Sequence, residues 1–155
     1  MSKETFIKRC IELSKKSLDN NDGPFGALIT KNNDVIAESL NKASVQVNQH
    51  AEILVLNKAH DILGTTDLSE CTLYSNCEPC PMCSFMIREL KIKKVVFGIF
   101  SKYMGGFSRW DILQDKHLVN IKPFFGEVPE IIGGVLQSEA LKVFDELNID
   151  FKKYF

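Results

Sequence analysis

Apolar positions along the chain follow two periods that alternate from one end to the other. Phe6, Ile7, Cys10, Ile11, Leu13 and Leu18 lie near helical spacing and predict a helix over Thr5 to Leu18. The run Asn20-Asn21-Asp22-Gly23-Pro24 stops it. Gly26–Thr30 and Val35–Ser39 read as two strands joined by the polar turn Lys31-Asn32-Asn33-Asp34, and Asn41 to Gln49 as a polar loop. Helical spacing returns from His50 to Leu63 through Ile53, Leu54 and Leu56, with Gly64 as the stop. Thr72–Ser75 reads as a strand, Cys80–Leu90 as a helix and Lys94–Phe100 as a β-branched, apolar strand. Ser101–Asn120 is irregular around Gly105-Gly106. Glu130–Ile132 is a further strand, and Gln137–Leu147 a helix carrying Leu141, Val143, Phe144 and Leu147. Strands alternating with helices predict a layered α/β domain, with a hairpin at one side and parallel crossovers after it. In such sheets ligands bind beyond the carboxyl ends of strands, where the helices opening at His50 and Cys80 are expected to start.

No repeat, linker or low-complexity tract interrupts this pattern, so residues 1–155 are expected to form a single domain. A hydrophobic fraction of 45% and a charged fraction of 25% suit a soluble globular chain. No apolar run approaches the length of a membrane span, and Met1-Ser2-Lys3-Glu4 opens no signal peptide. Five cysteines, three of them clustered, fit a cytoplasmic, reducing setting and metal use rather than a disulfide framework. The net charge of −1 gives no support to binding of a phosphate backbone. The basic cluster Arg88, Lys91, Lys93 and Lys94 reads as a solvated helix end and turn.

The chemistry sits in His50-Ala51-Glu52 and Pro79-Cys80-Pro81-Met82-Cys83. One imidazole and two thiolates make a three-ligand zinc site that keeps its fourth position open, as catalytic sites do. Zinc lowers the pKa of a bound water, and Glu52 is left to move protons. Either half of the pattern alone is weak; in this order, with Pro79 before Cys80, the pair matches the general signature of zinc nucleobase deaminases. Pro79 suits a helix start, which predicts Cys80 and Cys83 on one face of a first turn, where the helix dipole favours thiolates. Cys77 offers an alternative: with His50, Cys80 and Cys83 it makes a closed Cys3His structural site, which leaves Glu52 without a role. The other reading has Cys77 ending the preceding strand as a small buried residue.

Gly23-Pro24-Phe25-Gly26-Ala27, Asn41, His50-Ala51-Glu52, Cys77-Glu78-Pro79-Cys80-Pro81-Met82-Cys83 and Val95-Val96-Phe97-Gly98 together resemble the cytidine-deaminase-like superfamily. The resemblance covers most of the chain. It implies a three-layer α/β/α sandwich with a mixed five-stranded sheet, and one Zn2+ per chain held by His50, Cys80 and Cys83. It implies hydrolytic loss of an exocyclic amine as ammonia, through attack by hydroxide generated at zinc with Glu52 as proton shuttle. It also implies a homodimer or larger assembly, which the apolar segment Pro123-Phe124-Phe125 and the aromatic tail favour.

Within that superfamily Gly23–Ala27 and Cys77–Cys83 look like guanine and guanosine deaminases. Val95–Gly98, Ser108-Arg109-Trp110-Asp111-Ile112-Leu113 and Gly134-Val135-Leu136 look like bacterial tRNA adenosine deaminases. The chain departs from the first group where Ser108-Arg109 follows Gly106-Phe107 in place of acidic residues. It departs from the second in its ending, Asp150-Phe151-Lys152-Lys153-Tyr154-Phe155, which is closer to the aromatic tail of guanine deaminases than to a basic helix. Val47-Asn48-Gln49 stands where Asp-Pro-Thr-Ala commonly precedes the His. The expectation is a deaminase of a purine base or nucleoside, guanine or guanosine first, ahead of tRNA adenosine or a cytosine or cytidine substrate. A zinc-stabilised binding module is the non-enzymatic alternative. Expected substrate contacts are Asn41 at a ring edge, Phe25 by stacking, the backbone N–H near Ala51, Trp110 as a lid, and Asp111 as a second proton or base contact. The structural alternatives are a loop cap for Asn41, core packing for Phe25, surface packing for Trp110 and a helix cap for Asp111. Glu78 is expected to brace the ligand loop.

Overall fold

A computed structural model describes residues 1–147 and 151–155. Its centre is a strand that is buried almost throughout: β1 (Gly26–Lys31) pairs antiparallel with β2 (Asp34–Leu40) on one side and with β3 (Cys71–Cys77) on the other. β3 then pairs in parallel with β4 (Lys94–Ile99), and β4 in parallel with β5 (Glu130–Ile132). The order β2-β1-β3-β4-β5 is a mixed five-stranded sheet. Alternation along β1 sends Ala27 and Ile29 to one face and Leu28 to the other.

Helices cover both faces. α1 (Lys3–Asp19) and α4 (Gln137–Phe144) pack Phe6, Ile7, Cys10, Val143 and Phe144 against Leu28, Tyr74 and Val96. α2 (Ala51–Leu63) and α3 (Pro81–Glu89) pack Val55, Leu56, Ala59 and Ile87 against Ile29, Leu73, Val95 and Phe97. This is the expected α/β/α sandwich. No helix among the described residues is long and apolar enough to cross a membrane.

The boundaries shift where proline and capping chemistry compete with period. α2 begins at Ala51, with His50 as its extended N-cap, and ends at Gly64 in the left-handed conformation at φ 65°. α3 begins at Pro81 rather than at Cys80. Pro81, not Pro79, takes the first helical position, and the residue before a proline is driven extended. Cys80 therefore sits outside the helix as its N-cap, at φ −69° and ψ 171°. The Asp150 end of the aromatic tail lies outside the described residues. Arg88 is not solvated as the basic cluster suggested: it is 1% exposed, on the inward side of α3.

Gly26 is required by close approach. A Cβ there would stand 2.5 Å from both the Cys10 carbonyl oxygen and Leu13 Cβ of α1. Gly26→Ala is expected to destabilise the fold by about 1–3 kcal/mol, the usual range for overpacking. Chemical denaturation will read this as a lower midpoint at unchanged m-value.

Candidate functional site

Two helix starts meet at one end of the sheet. His50 caps α2, and Cys80 and Cys83 open α3 immediately after β3. His50 Nδ1 lies 3.5 Å from Cys80 Sγ and 3.6 Å from Cys83 Sγ, and the two sulfurs are 3.5 Å apart. Tetrahedral zinc with one nitrogen and two sulfur ligands separates its donors by about 3.5–3.8 Å, given bonds of about 2.0–2.3 Å. The donor set therefore fits zinc. Among the described residues the metal-capable cluster is His50, Cys80 and Cys83. Cys77 is not in it; this thiol ends β3, 2% exposed.

The electrostatics of the triangle fit a cation. The Cys80 thiol is held down to about 4 by its hydrogen bond with Cys83, against burial, with His50 adding to the effect. Cys83 is pushed well up by its hydrogen bond with Cys80 and by burial, and the Cys80 contact raises His50. Metal ligands must be deprotonated, so a dication bound here takes the place of the protons these groups hold.

Glu52 lies in the first turn of α2, 4% exposed. Its Oε1 accepts a hydrogen bond from Ser75 Oγ of β3 at 2.9 Å, and its Oε2 lies 3.8 Å from Cys83 Sγ. Burial, then the nearby Cys80 charge, raises its pKa. Over this group opens a cavity of about 240 Å³, walled by Phe25, Cys77, Met104 and Phe155, with His50, Glu52 and Cys80 at its base. Phe25 packs at 5.9 Å from Phe144 and 6.5 Å from Phe155, measured between ring centroids. Asn76 holds the turn that presents it, accepting from Gly26 N–H and donating to the Pro24 carbonyl.

The other expected contact residues do not line this cavity. Asn41 is buried; its Oδ1 accepts from Ala51 N–H at 3.2 Å and its Nδ2 donates to Asp22 Oδ1 at 2.7 Å. The helix-start donor at Ala51 is thus satisfied within the protein. Trp110 and Asp111 are not brought to the cavity. Trp110 is 52% exposed, stacked under Arg109, and Asp111 lies in a separate depression with Gln114 and His117. The expected cap has no helix to serve, because the chain there turns back through bonds from Ile112 N–H and Leu113 N–H to Gly106. Glu78 does brace a loop: it accepts from the N–H groups of Ser101, Phe107 and Ser108 and from Ser108 Oγ. Ser75, Ser101 and Met104 were not legible beforehand, since a strand serine and an irregular segment carry no local signal.

Residues 1–99 match the family described as the cytidine and deoxycytidylate deaminase zinc-binding region. The tRNA-specific adenosine deaminase of Bacillus subtilis is 34% identical over 141 residues, 88% of this chain and 83% of that protein. The guanine deaminase of the same organism is 39% identical over 101 residues, 63% of this chain and 65% of that protein. Among solved structures, a tRNA:A34 deaminase that edits A to I at the wobble position superposes with a TM-score of 0.80 at 25% identity, covering 90% of this chain and 98% of that one. The Bacillus subtilis guanine deaminase gives 0.63 at 38% identity, covering 66% and 67%.

Metal analysis of purified protein is expected to find one zinc per chain. Cys80→Ser and His50→Ala should each lose most of it, and Cys77→Ser should keep it. Acid titration tests the Asp22 link. Burial alone raises this carboxylate, but hydrogen bonds from Ser44, Asn41 and Gly23 N–H outweigh it and hold the pKa at about 2. A lowered folded pKa stabilises above the unfolded value of about 3.9 and loses that contribution as pH falls toward 2. The stability gap between wild type and Asp22→Asn should therefore be constant from neutrality to about pH 5 and close between about pH 4 and 2.

Proposed function

The chain belongs to the cytidine and deoxycytidylate deaminase family of zinc-dependent hydrolases acting on C–N bonds, and on that premise we propose that it deaminates a purine presented as a free base or nucleoside, guanine or guanosine first. The observation that carries this is the cavity itself. At about 240 Å³ it is smaller than sites for drug-sized ligands, about 300–1,000 Å³, and is walled largely by aromatic and apolar side chains. Such a space suits one planar ring. The contribution of Phe155 to its wall favours a small substrate that the tail can close over. The guanine deaminase likeness over 101 residues points the same way, whereas the longer likeness, over 141 residues, is to a tRNA-specific adenosine deaminase.

His50, Cys80 and Cys83 would hold the zinc, which when bound supplies Lewis acidity that makes a water easier to deprotonate near neutral pH. The remaining work falls to the chain. Phe25 and Phe155, packed together in the cavity wall, offer the ring an apolar surface and exclude water. Glu52, oriented by Ser75 through Oε1, takes one proton from the attacking water and passes it to the ring nitrogen, then takes the water's second proton from the hydroxyl of the addition product and passes it to the departing amine. Water adds at the amine-bearing carbon, the C–N bond breaks, and the products are the oxo-purine and ammonia.

A second reading, adenosine in a tRNA loop, is favoured by the residues that precede Met104 and Phe155 of the cavity wall in sequence. Tyr103 and Tyr154 meet edge to face at 6.3 Å, and each carries a lysine over its ring, Lys102 and Lys153. Aromatic rings beside cations suit stacked bases and phosphates. An ammonia-release screen over purine and pyrimidine bases, their nucleosides and tRNA separates the two. Release from guanine or guanosine supports the first; inosine formed only in tRNA overturns it. In either case Glu52→Gln, with zinc retained, is expected to lower kcat by about 10²–10⁴-fold, since the amide keeps the shape but carries no proton.

A further inference from the structure

Arg88 is the least exposed charged side chain among the described residues, at 1%. Its Nη1 donates to the carbonyls of Ile112 at 2.9 Å, Leu113 at 3.3 Å and Asp115 at 2.8 Å. Its Nε and Nη2 have no hydrogen-bond partner among the described residues. A guanidinium stays charged at all working pH, and burying one without a bonded carboxylate is costly. Packing alone would be served better by methionine or leucine. The three carbonyls explain the choice: a cationic donor converges on them at one spot, which no apolar side chain can do.

Those carbonyls belong to the far end of one segment, residues 101–115. Its near end is gripped by Glu78, and its middle by the bond from Gly106 N–H to the Pro79 carbonyl, with Ser84 packed beneath Gly106. Glu78 and Arg88 thus flank Cys80 and Cys83 in sequence, and the stretch that bears the thiols holds the segment along its length. The same segment supplies Ser101 and Met104 to the cavity wall.

We infer that Arg88 is a positioning residue for the deamination reaction: by fixing the 112–115 carbonyls on α3 it sets the Ser101–Met104 wall in register with the metal-binding thiols. This rests on the cavity being the substrate site. Misplacing such a wall weakens the fit of the ring before it alters the chemistry, so the effect falls on KM more than on kcat.

The test compares zinc-loaded, full-length wild type with Arg88→Met and Arg88→Lys, by amide hydrogen exchange and by kinetics on the substrate the ammonia screen identifies. Exchange at residues 105–113 is expected to accelerate about tenfold or more while α1 and the sheet keep their protection. KM should rise by about tenfold, within the range that small displacements produce, with kcat falling less and zinc content unchanged. Arg88→Lys should recover part of both effects. If Arg88→Met does not fold, Arg88→Lys is judged on the same readouts. Folded variants whose segment exchange and KM both match wild type overturn the inference, as does a loss confined to kcat and melting temperature. Exchange needs no substrate, so a failure to find purine turnover would count against the proposed function while leaving Arg88 to be judged on exchange.

Discussion

The structure depends on two helix N-termini being held side by side at one end of the sheet, with one imidazole and two thiols between them. Helix starts present unsatisfied N–H groups and a partial positive charge. Placed together they suit thiolates, and thiolates placed together need a cation. His50 and Cys80 each leave the helix by one residue to reach this point, the first as the cap of α2 and the second because Pro81 follows it. The hairpin and the parallel crossovers are the frame that keeps the two starts in contact.

Glu52 shows what the frame makes possible. A carboxylate at 4% exposure beside two cysteines is unfavourable in isolation. Ser75 satisfies one oxygen and turns the other toward the donor triangle. The same burial that raises its pKa removes competing water, so stability and chemistry are set by one placement.

The loop beyond β4 is tied to the metal-bearing stretch rather than to the sheet. Glu78 and Arg88 reach it from either side of the thiols, and Gly105 and Gly106 let the backbone approach where any side chain would overlap Glu78 or Ser84. Lys102 and Lys153 meanwhile stand over paired tyrosines in a chain of net charge −1. Overall charge is a sum and carries no information about where the charges are collected.

What the sequence determined by itself is local or periodic. The order of helices and strands followed from apolar spacing, and the zinc donors from two short motifs whose residue types admit few other uses. Asn41 and Phe25 were legible as residues near the site. Only the tertiary structure decided their partners: that Asn41 accepts from Ala51 N–H, that Ser75 orients Glu52, that Arg88 is buried, and that Trp110 and Asp111 stay outside the cavity. The reason is physical. Periodicity and capping act over a few residues, whereas a cavity wall is made by segments distant in sequence, such as 25, 104 and 155, whose meeting depends on how the whole sheet is covered.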